Sequence, residues 1–181
     1  MSIRLTTSSY VVLSLVAQLQ PATAYDLKRL AHSTVFNFWS LPHTVLYTET
    51  QRLCDAEYLQ AEQEEGGRRR RRFSLTTAGS DVLEQWRAEP TDEFLELRDP
   101  GLLRLFAGAE PQALAVRQLE RHRAQLRAYL DLDEALASSP GDQGPVRSTL
   151  AAGIAIEREY VRFWTTLADR GSTTSAELGP P

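Results

Sequence analysis

The chain has 181 residues, of which 42% are hydrophobic but only 8% are aromatic, so a folded core must be built mainly from aliphatic side chains. Its net charge is −4, and its single cysteine, Cys54, excludes an intrachain disulfide. The longest apolar run, residues 10–17, is too short to cross a membrane and no secretory signal precedes it, so we expect a cytoplasmic protein without a membrane partner.

Four helices are predicted in the first 90 residues. Thr23 is a suitable N-cap, Pro42 is well placed at a helix start, and Thr76 and Thr77 precede an apolar helical pattern. The predicted helices cover residues 10–19, 24–33, 43–56 and 77–88.

A β-hairpin is predicted between the third and fourth helices. Two short extended segments, residues 58–65 and 68–75, are joined by Gly66 and Gly67, which favour a tight turn. Three helices followed by a hairpin and a further helix are typical of a winged helix-turn-helix domain.

Five consecutive arginines, residues 68–72, concentrate positive charge in the hairpin. Residues 1–90 as a whole are neutral, with 10 basic and 10 acidic side chains, so this local density is what favours a nucleic-acid partner. A two-residue turn predicts the facing pairs Glu65–Arg68, Glu64–Arg69 and Glu62–Arg71.

The same register divides the hairpin into two faces. The face predicted to pack on the body of the domain carries Tyr58, Phe73 and Leu75, and the opposite face carries Arg68, Arg70 and Arg72. Arg70 and Arg72 have no carboxylate opposite them and are predicted to contact phosphate or the minor groove. A slip of one residue would exchange the two sets of arginines.

The second half is predicted to be helical. A short segment at residues 101–106 is followed by a long helix from Pro111 to about residue 137, and a last helix covers about residues 146–169 and ends at Gly171. An acidic stretch, residues 91–99, marks a domain boundary. The predicted fold is therefore mainly α with a small β-hairpin. It comprises a winged helix-turn-helix domain (1–90), an α-helical dimerisation domain (91–170) and a disordered tail (171–181).

The last helix carries apolar side chains on two faces, more than one packing partner needs. One face has Leu150, Ile154, Val161 and Ala168, and the other has Ile156, Tyr160, Phe163 and Leu167. One is predicted to pack on the long helix and the other on a second subunit, giving a homodimer; a compact monomer that uses both faces internally is the alternative. The candidate dimerisation residues are Leu150, Ile154, Ile156, Tyr160, Val161, Phe163, Trp164 and Leu167. Trp164, Phe163 and Tyr160 are interpreted as a packing stripe or, alternatively, as a pocket wall.

The third helix is the candidate DNA-reading element. Spacings of 3, 4, 7 and 11 residues place Thr44, Tyr47, Thr48, Gln51 and Asp55 on one face, and Arg52 lies beside it. Hydroxyls and amides bind phosphates and base edges, and arginine pairs with guanine or phosphate. We therefore predict that Thr44, Tyr47, Thr48, Gln51 and Arg52 contact double-stranded DNA; an ordinary solvated face is the alternative.

An ordered series of motifs resembles the PadR family of transcriptional regulators. The motifs are Thr23-Ala-Tyr-Asp-Leu27, Pro42-His-Thr-Val-Leu-Tyr47, Arg52-Leu53, Glu57-Tyr-Leu59, the wing arginines after Gly67, and Phe73-Ser-Leu-Thr-Thr-Ala-Gly79. Residues 98–104 and 119–123 are similar to the helical C-terminal domain of longer members. The resemblance implies a homodimer that represses transcription at an operator, with release by a small effector in some members. Ala24, His43 and Thr48 depart from the family pattern, and the last two predict a different operator.

The sequence gives less support to a metal site, an enzyme, a redox switch or a protein–protein adaptor. The three histidines are scattered, Cys54 has no partner at metal-ligand spacing, and there is neither a phosphate-binding glycine loop nor a nucleophile elbow, so we expect no metal, cofactor or enzymatic activity. Cys54 is interpreted as a structural residue, with a redox switch as the alternative. Phe36, Phe38 and Trp39 are interpreted as core, with an aromatic effector pocket as the alternative. The competing function is a helical protein–protein adaptor that keeps the winged-helix fold without binding an operator.

Overall fold

A computed structural model describes residues 3–64, 70–139 and 143–174, with side chains described as far as residue 169. The chain divides into two compact units, Met1–Glu93 and Phe94–Pro181. In the described ranges, no helix combines the length and the apolar character needed to cross a membrane.

The first unit contains a bundle of helices and a small sheet. Its elements are α1 (Thr7–Leu19), β1 (Ala22–Thr23), α2 (Ala24–Ser33), a short 3₁₀ helix (Val35–Asn37), α3 (His43–Asp55), β2 (Leu59–Gln63), β3 (Arg71–Leu75) and α4 (Thr77–Ala88). The predicted helix-helix-helix-hairpin-helix order is confirmed. The sequence did not predict β1, which extends the hairpin to an antiparallel sheet of order β1-β3-β2.

One buried core joins these elements. Each helix contributes fully buried leucines, among them Leu13 of α1, Leu27 of α2, Leu53 of α3 and Leu83 of α4, and the sheet contributes Phe73. Burying an aliphatic side chain of this size stabilises the fold by about 1.5–3 kcal/mol. The core therefore fixes α3 on one side and leaves its opposite side to solvent.

Local capping explains where α2 begins. The Thr23 hydroxyl accepts a hydrogen bond from the Asp26 amide at 3.2 Å, and the Asp26 carboxylate accepts one from the Thr23 amide at 3.1 Å. The Thr23 hydroxyl also donates to the Asp26 carboxylate at 2.6 Å, and the two hydrogen bonds that this carboxylate accepts from Thr23 lower the pKa of Asp26 below its usual value. Such a reciprocal capping box is readable from Thr and Asp three residues apart.

The hairpin register differs by one residue from the prediction. Leu59 lies opposite Leu75, and Glu62 lies opposite Arg72 rather than Arg71. The Glu64 amide likewise bonds the carbonyl of Arg70 at 2.9 Å, not that of Arg69. The predicted Glu65–Arg68 pair and the turn at residues 66–67 lie outside the described residues.

The C-cap of α3 explains which residue begins the first strand of the hairpin. Glu57 adopts a left-handed φ of 64°, and the Tyr58 amide donates to the carbonyl of Leu53 at 3.0 Å. Because this Schellman-type bond uses Tyr58 to close the helix, the strand begins at Leu59. Leu59, rather than the predicted Tyr58, thus shares the buried face with Phe73 and Leu75.

The second unit consists of α5 (Pro100–Phe106), α6 (Pro111–Ala137) and α7 (Gly144–Thr174). The α6 bounds agree with the prediction. The predicted end of α7 at Gly171 is wrong, since the helix continues to Thr174; one helical glycine costs only about 1 kcal/mol. The predicted tail therefore begins within a helix, and residues 175–181 lie outside the described part.

Side-chain contacts show that α6 and α7 run antiparallel. Arg147 binds Asp133 near the connection, and farther along Glu157 Oε2 lies 2.7 Å from His122 Nδ1. The Tyr160 ring stacks on His122 with centroids 4.4 Å apart. Burial, together with a hydrogen bond to the Asp99 carboxylate, raises the pKa of Tyr160 to about 12.

Candidate nucleic-acid interface

The exposed face of α3 is polar along its length. Its exposed side chains are His43, Thr44, Tyr47, Thr48, Gln51 and Asp55, whereas Leu46 and Leu53 are fully buried on the opposite side. Tyr47 is 46% exposed. The polar face predicted from the sequence is therefore present as one continuous surface.

Arg52 lies elsewhere than predicted. Its guanidinium donates to both carboxylate oxygens of Glu49 at 2.9 and 2.6 Å, to the Ser9 hydroxyl at 2.9 Å and to the carbonyl of Arg4 at 3.1 Å. Ser9 is fully buried and Glu49 is only 8% exposed. These acceptors occupy the fork of Arg52, so it ties α3 to α1 instead of extending toward a groove.

Glu49 is charged because of this network. Burial tends to raise the pKa of Glu49, but hydrogen bonds from Arg52 and Ser9 outweigh burial and hold the pKa below its usual value. The same bond to Glu49 raises the pKa of Arg52. The pair thus remains ionised at neutral pH. The sequence carried one signal for it, the Glu–Arg spacing of three residues on a helix.

The wing arginines have different surroundings. Arg70 and Arg72 are exposed, but Arg72 forms an ion pair with Glu64 at 2.7 Å. Arg72 is therefore partly neutralised, contrary to the expectation that no carboxylate faces it. Arg71, which was not selected from the sequence, lies on the face of Phe73 and donates from Nη1 to Gln51 Oε1 of α3 at 2.6 Å.

The aromatic residues before α3 differ in burial, and the core interpretation is wrong for Phe38 and Trp39. Phe38 and Trp39 are 61% and 41% exposed, whereas Phe36 is half-buried. The Phe36 ring packs edge-on against His32 at 5.2 Å, and His32 lies 4.8 Å from His43 at the start of α3. The structure thus brings together two histidines that appear scattered in the sequence. Among the described residues, no group of three or more histidine, cysteine, aspartate or glutamate side chains could hold a metal.

Cys54 is half-buried on α3. Burial raises the pKa of its thiol; the Arg71 charge acts in the opposite direction but does not reverse the shift. A thiol with a raised pKa is a poor nucleophile, which favours the structural interpretation over a redox switch.

The candidate dimerisation residues separate into inner and outer groups. Leu150, Ile154 and Trp164 are buried within the second unit. Contrary to the prediction, these three side chains are not exposed to a second subunit. Ile156 and Phe163 are 48% and 40% exposed. The remaining three are half-buried: Tyr160, Val161 and Leu167.

Residues 12–85, which include the whole polar face of α3 and the described part of the wing, match the family described as "Transcriptional regulator PadR-like family". Over these residues the chain is similar to PadR-like transcriptional regulators. A comparison with curated proteins found no match.

Solved PadR structures share the fold. Bacillus subtilis PadR in complex with operator DNA is 20% identical, with 91% of this chain and 99% of that chain covered at a TM-score of 0.78. The PadR-like regulator BC1756 from Bacillus cereus is 18% identical, with 93% and 99% covered and a TM-score of 0.79. B. subtilis PadR in complex with p-coumaric acid is 18% identical, with 91% and 97% covered and a TM-score of 0.69. At these identities the likeness shows the fold, including the C-terminal helices.

Proposed function

We propose that this PadR-like protein binds operator DNA as a homodimer and represses transcription. The observation that carries the proposal is the continuous polar face of α3, which is held against the core by leucines on its other side and is flanked by the wing. A helix with this arrangement fits the major groove, where hydroxyls and amides meet phosphates and base edges.

The proposed contacts follow from exposure and free hydrogen-bonding capacity. Thr44, Tyr47, Thr48 and Gln51 would face the groove, and the first amides of α3 would bind a phosphate. Arg70 is the better backbone contact in the wing, since Arg72 must first separate from Glu64. Arg52 supports the helix and is not among the proposed contacts.

Dimerisation is supported by the outer face of α7. Ile156 and Phe163 lie exposed on a helix whose other face is already covered within the unit. Two recognition helices related by a two-fold axis would read half-sites about one helical turn apart, which gives specificity that one helix lacks.

A small-molecule effector is a second element of the proposal. It is supported by the structure of B. subtilis PadR in complex with p-coumaric acid, a protein with the same fold. The exposure of Phe38 and Trp39 argues against the alternative interpretation of these residues as an aromatic effector pocket. Addition of p-coumaric acid to the DNA complex tests whether this chain responds to the same phenolic acid.

Duplex binding as a function of salt separates a DNA regulator from a protein–protein adaptor. Fluorescence anisotropy of a labelled duplex should show binding that weakens with salt, and Arg70→Ala should reduce the slope of log K against log salt by about 0.9. Tyr47→Ala should weaken operator binding by roughly 1–3 kcal/mol if a base contact is lost. Exposed Tyr25 provides a matched control, and Tyr25→Ala should leave binding unchanged. The adaptor is favoured instead if the folded protein binds no duplex at low salt.

A further inference from the structure

Hydrogen bonds among three side chains join strand β3 of the wing to α3, the proposed recognition helix. Arg71 Nη1 donates to Gln51 Oε1 at 2.6 Å, and Gln51 Nε2 donates to Asp55 Oδ1 at 2.6 Å. Because a guanidinium only donates and a carboxylate only accepts, these contacts determine which end of the Gln51 amide is oxygen and which is nitrogen.

Arg71, the donor at one end of these hydrogen bonds, is held against the core. The Arg71 guanidinium lies over the Phe73 ring, 5.4 Å from its centroid, and Phe73 is buried in the core of the first unit. Arg71 belongs to β3, whose register is fixed by the pairs Ala22–Phe73 and Ala61–Phe73. The position of the Gln51 amide is therefore set from the core and the sheet as well as by its own helix.

The amide keeps the capacity to bind a base while it is held. Its oxygen has a second lone pair and its nitrogen a second hydrogen, so the amide retains one acceptor and one donor. Adenine presents the complementary pair in the major groove, the N6 donor and the N7 acceptor. A reading group held in one orientation loses less freedom on binding and discriminates more sharply than one that rotates freely.

We propose that Arg71 is a positioning residue for sequence recognition: it holds the Gln51 amide in the orientation that selects an A·T pair in the major groove. This inference rests on the proposed function, since it requires α3 to enter the groove. It assigns a role in specificity to a wing residue that need not touch the base.

Base preference at a single position is the readout. Full-length protein first selects duplexes from a randomised DNA library, and affinities are then measured for the selected duplex and for variants with each A·T pair replaced. At one A·T pair in each half-site, replacement should weaken wild-type binding roughly tenfold or more. Gln51→Ala and Arg71→Ala should each reduce this penalty at that same pair to about twofold, and the double variant should lose nothing further.

Arg70→Ala is the matched control because it removes the same charge from the neighbouring residue. It should lower affinity for all duplexes alike and keep the full penalty at the A·T pair. Thermal unfolding of each variant checks that the fold is retained.

The outcomes separate the two proposals. If the wild type binds no duplex, the proposed function fails and the inference fails with it. If the wild type binds selectively but Arg71→Ala keeps the tenfold penalty, or lowers affinity evenly as Arg70→Ala does, only the positioning role is overturned. Retention of the penalty in Gln51→Ala also overturns it.

Discussion

Replacement of Arg52 by alanine should destabilise the first unit far more than loss of a surface arginine would. The Arg52 guanidinium donates one hydrogen bond to each oxygen of the Glu49 carboxylate, and the Glu49 side chain is only 10% exposed. Loss of one partner of a buried pair costs about 3–5 kcal/mol, because the remaining charge is unpaired in a site with little water.

The expected loss of stability lies at or just below the lower end of that range. The Arg52 side chain is 36% exposed, so water can reach the carboxylate once the guanidinium is gone. We expect a loss of about 2–3 kcal/mol in the free energy of unfolding, measured by urea denaturation at pH 7. For a unit of this size the melting temperature should fall by on the order of 10 °C or more.

The loss should depend on pH in a defined direction. In the wild type the pKa of Glu49 is below its usual value of 4.5, so its contribution is present above that pH and disappears as the pH falls through the folded-state pKa. In Arg52→Ala the hydrogen bond from Ser9 remains, but burial, the largest influence on the pKa of Glu49, is no longer opposed by Arg52, so protonation relieves part of the penalty. The difference between the two proteins should therefore be smaller in acid than at pH 7.

Arg87→Ala is the matched control. Arg87 also pairs with a glutamate three residues away, Glu84, but their side chains are 46% and 69% exposed. Its removal should cost less than about 1 kcal/mol. Equal losses for the two variants, or a loss in Arg52→Ala that does not change with pH, would refute the account of Arg52 as a buried brace.

Four further variants test the fold. Glu57→Gly should stabilise the first unit by about 1 kcal/mol in urea denaturation, because glycine adopts the left-handed φ of 64° without strain. Gly79→Ala should destabilise it by about 3 kcal/mol, since a Cβ would lie 2.0 Å from the carbonyl oxygen of Tyr58. Gly101→Ala should cost less in the second unit, because the nearest atom there belongs to a flexible side chain. The usual and the folded-state pKa of Tyr160 are 10 and about 12, so the wild type should lose free energy of unfolding as the pH rises through this window. Tyr160→Phe should not show this loss in urea denaturation.

Local signals explain why the helices could be predicted closely. The bounds of α2 and α6 follow from residues next to them in the sequence, Thr23 with Asp26 and Glu110 with Pro111, whose side-chain bonds and backbone restrictions act over three or four residues. The hydroxyl and amide face of α3 follows from the helical period alone.

Non-local contacts explain what the sequence did not show. The start of β2 depends on how α3 ends, and Glu57 is not a residue that usually indicates a left-handed cap. The role of Arg52 depends on Ser9, which is 43 residues away along the chain. The inner face of α7 could not be chosen because both faces are apolar, and only the packing of Leu150, Ile154 and Trp164 decides it.

The most direct test of the central claim is recovery of DNA by the full-length protein from sheared genomic fragments, followed by sequencing. We expect enrichment of a few fragments that share a two-fold symmetric site with half-sites about one helical turn apart. Tyr47→Ala should lose this enrichment, whereas the exposed control Tyr25→Ala should keep it. Recovery of fragments without a shared site, or the same enrichment from the Tyr47 variant, would contradict sequence-specific recognition through α3.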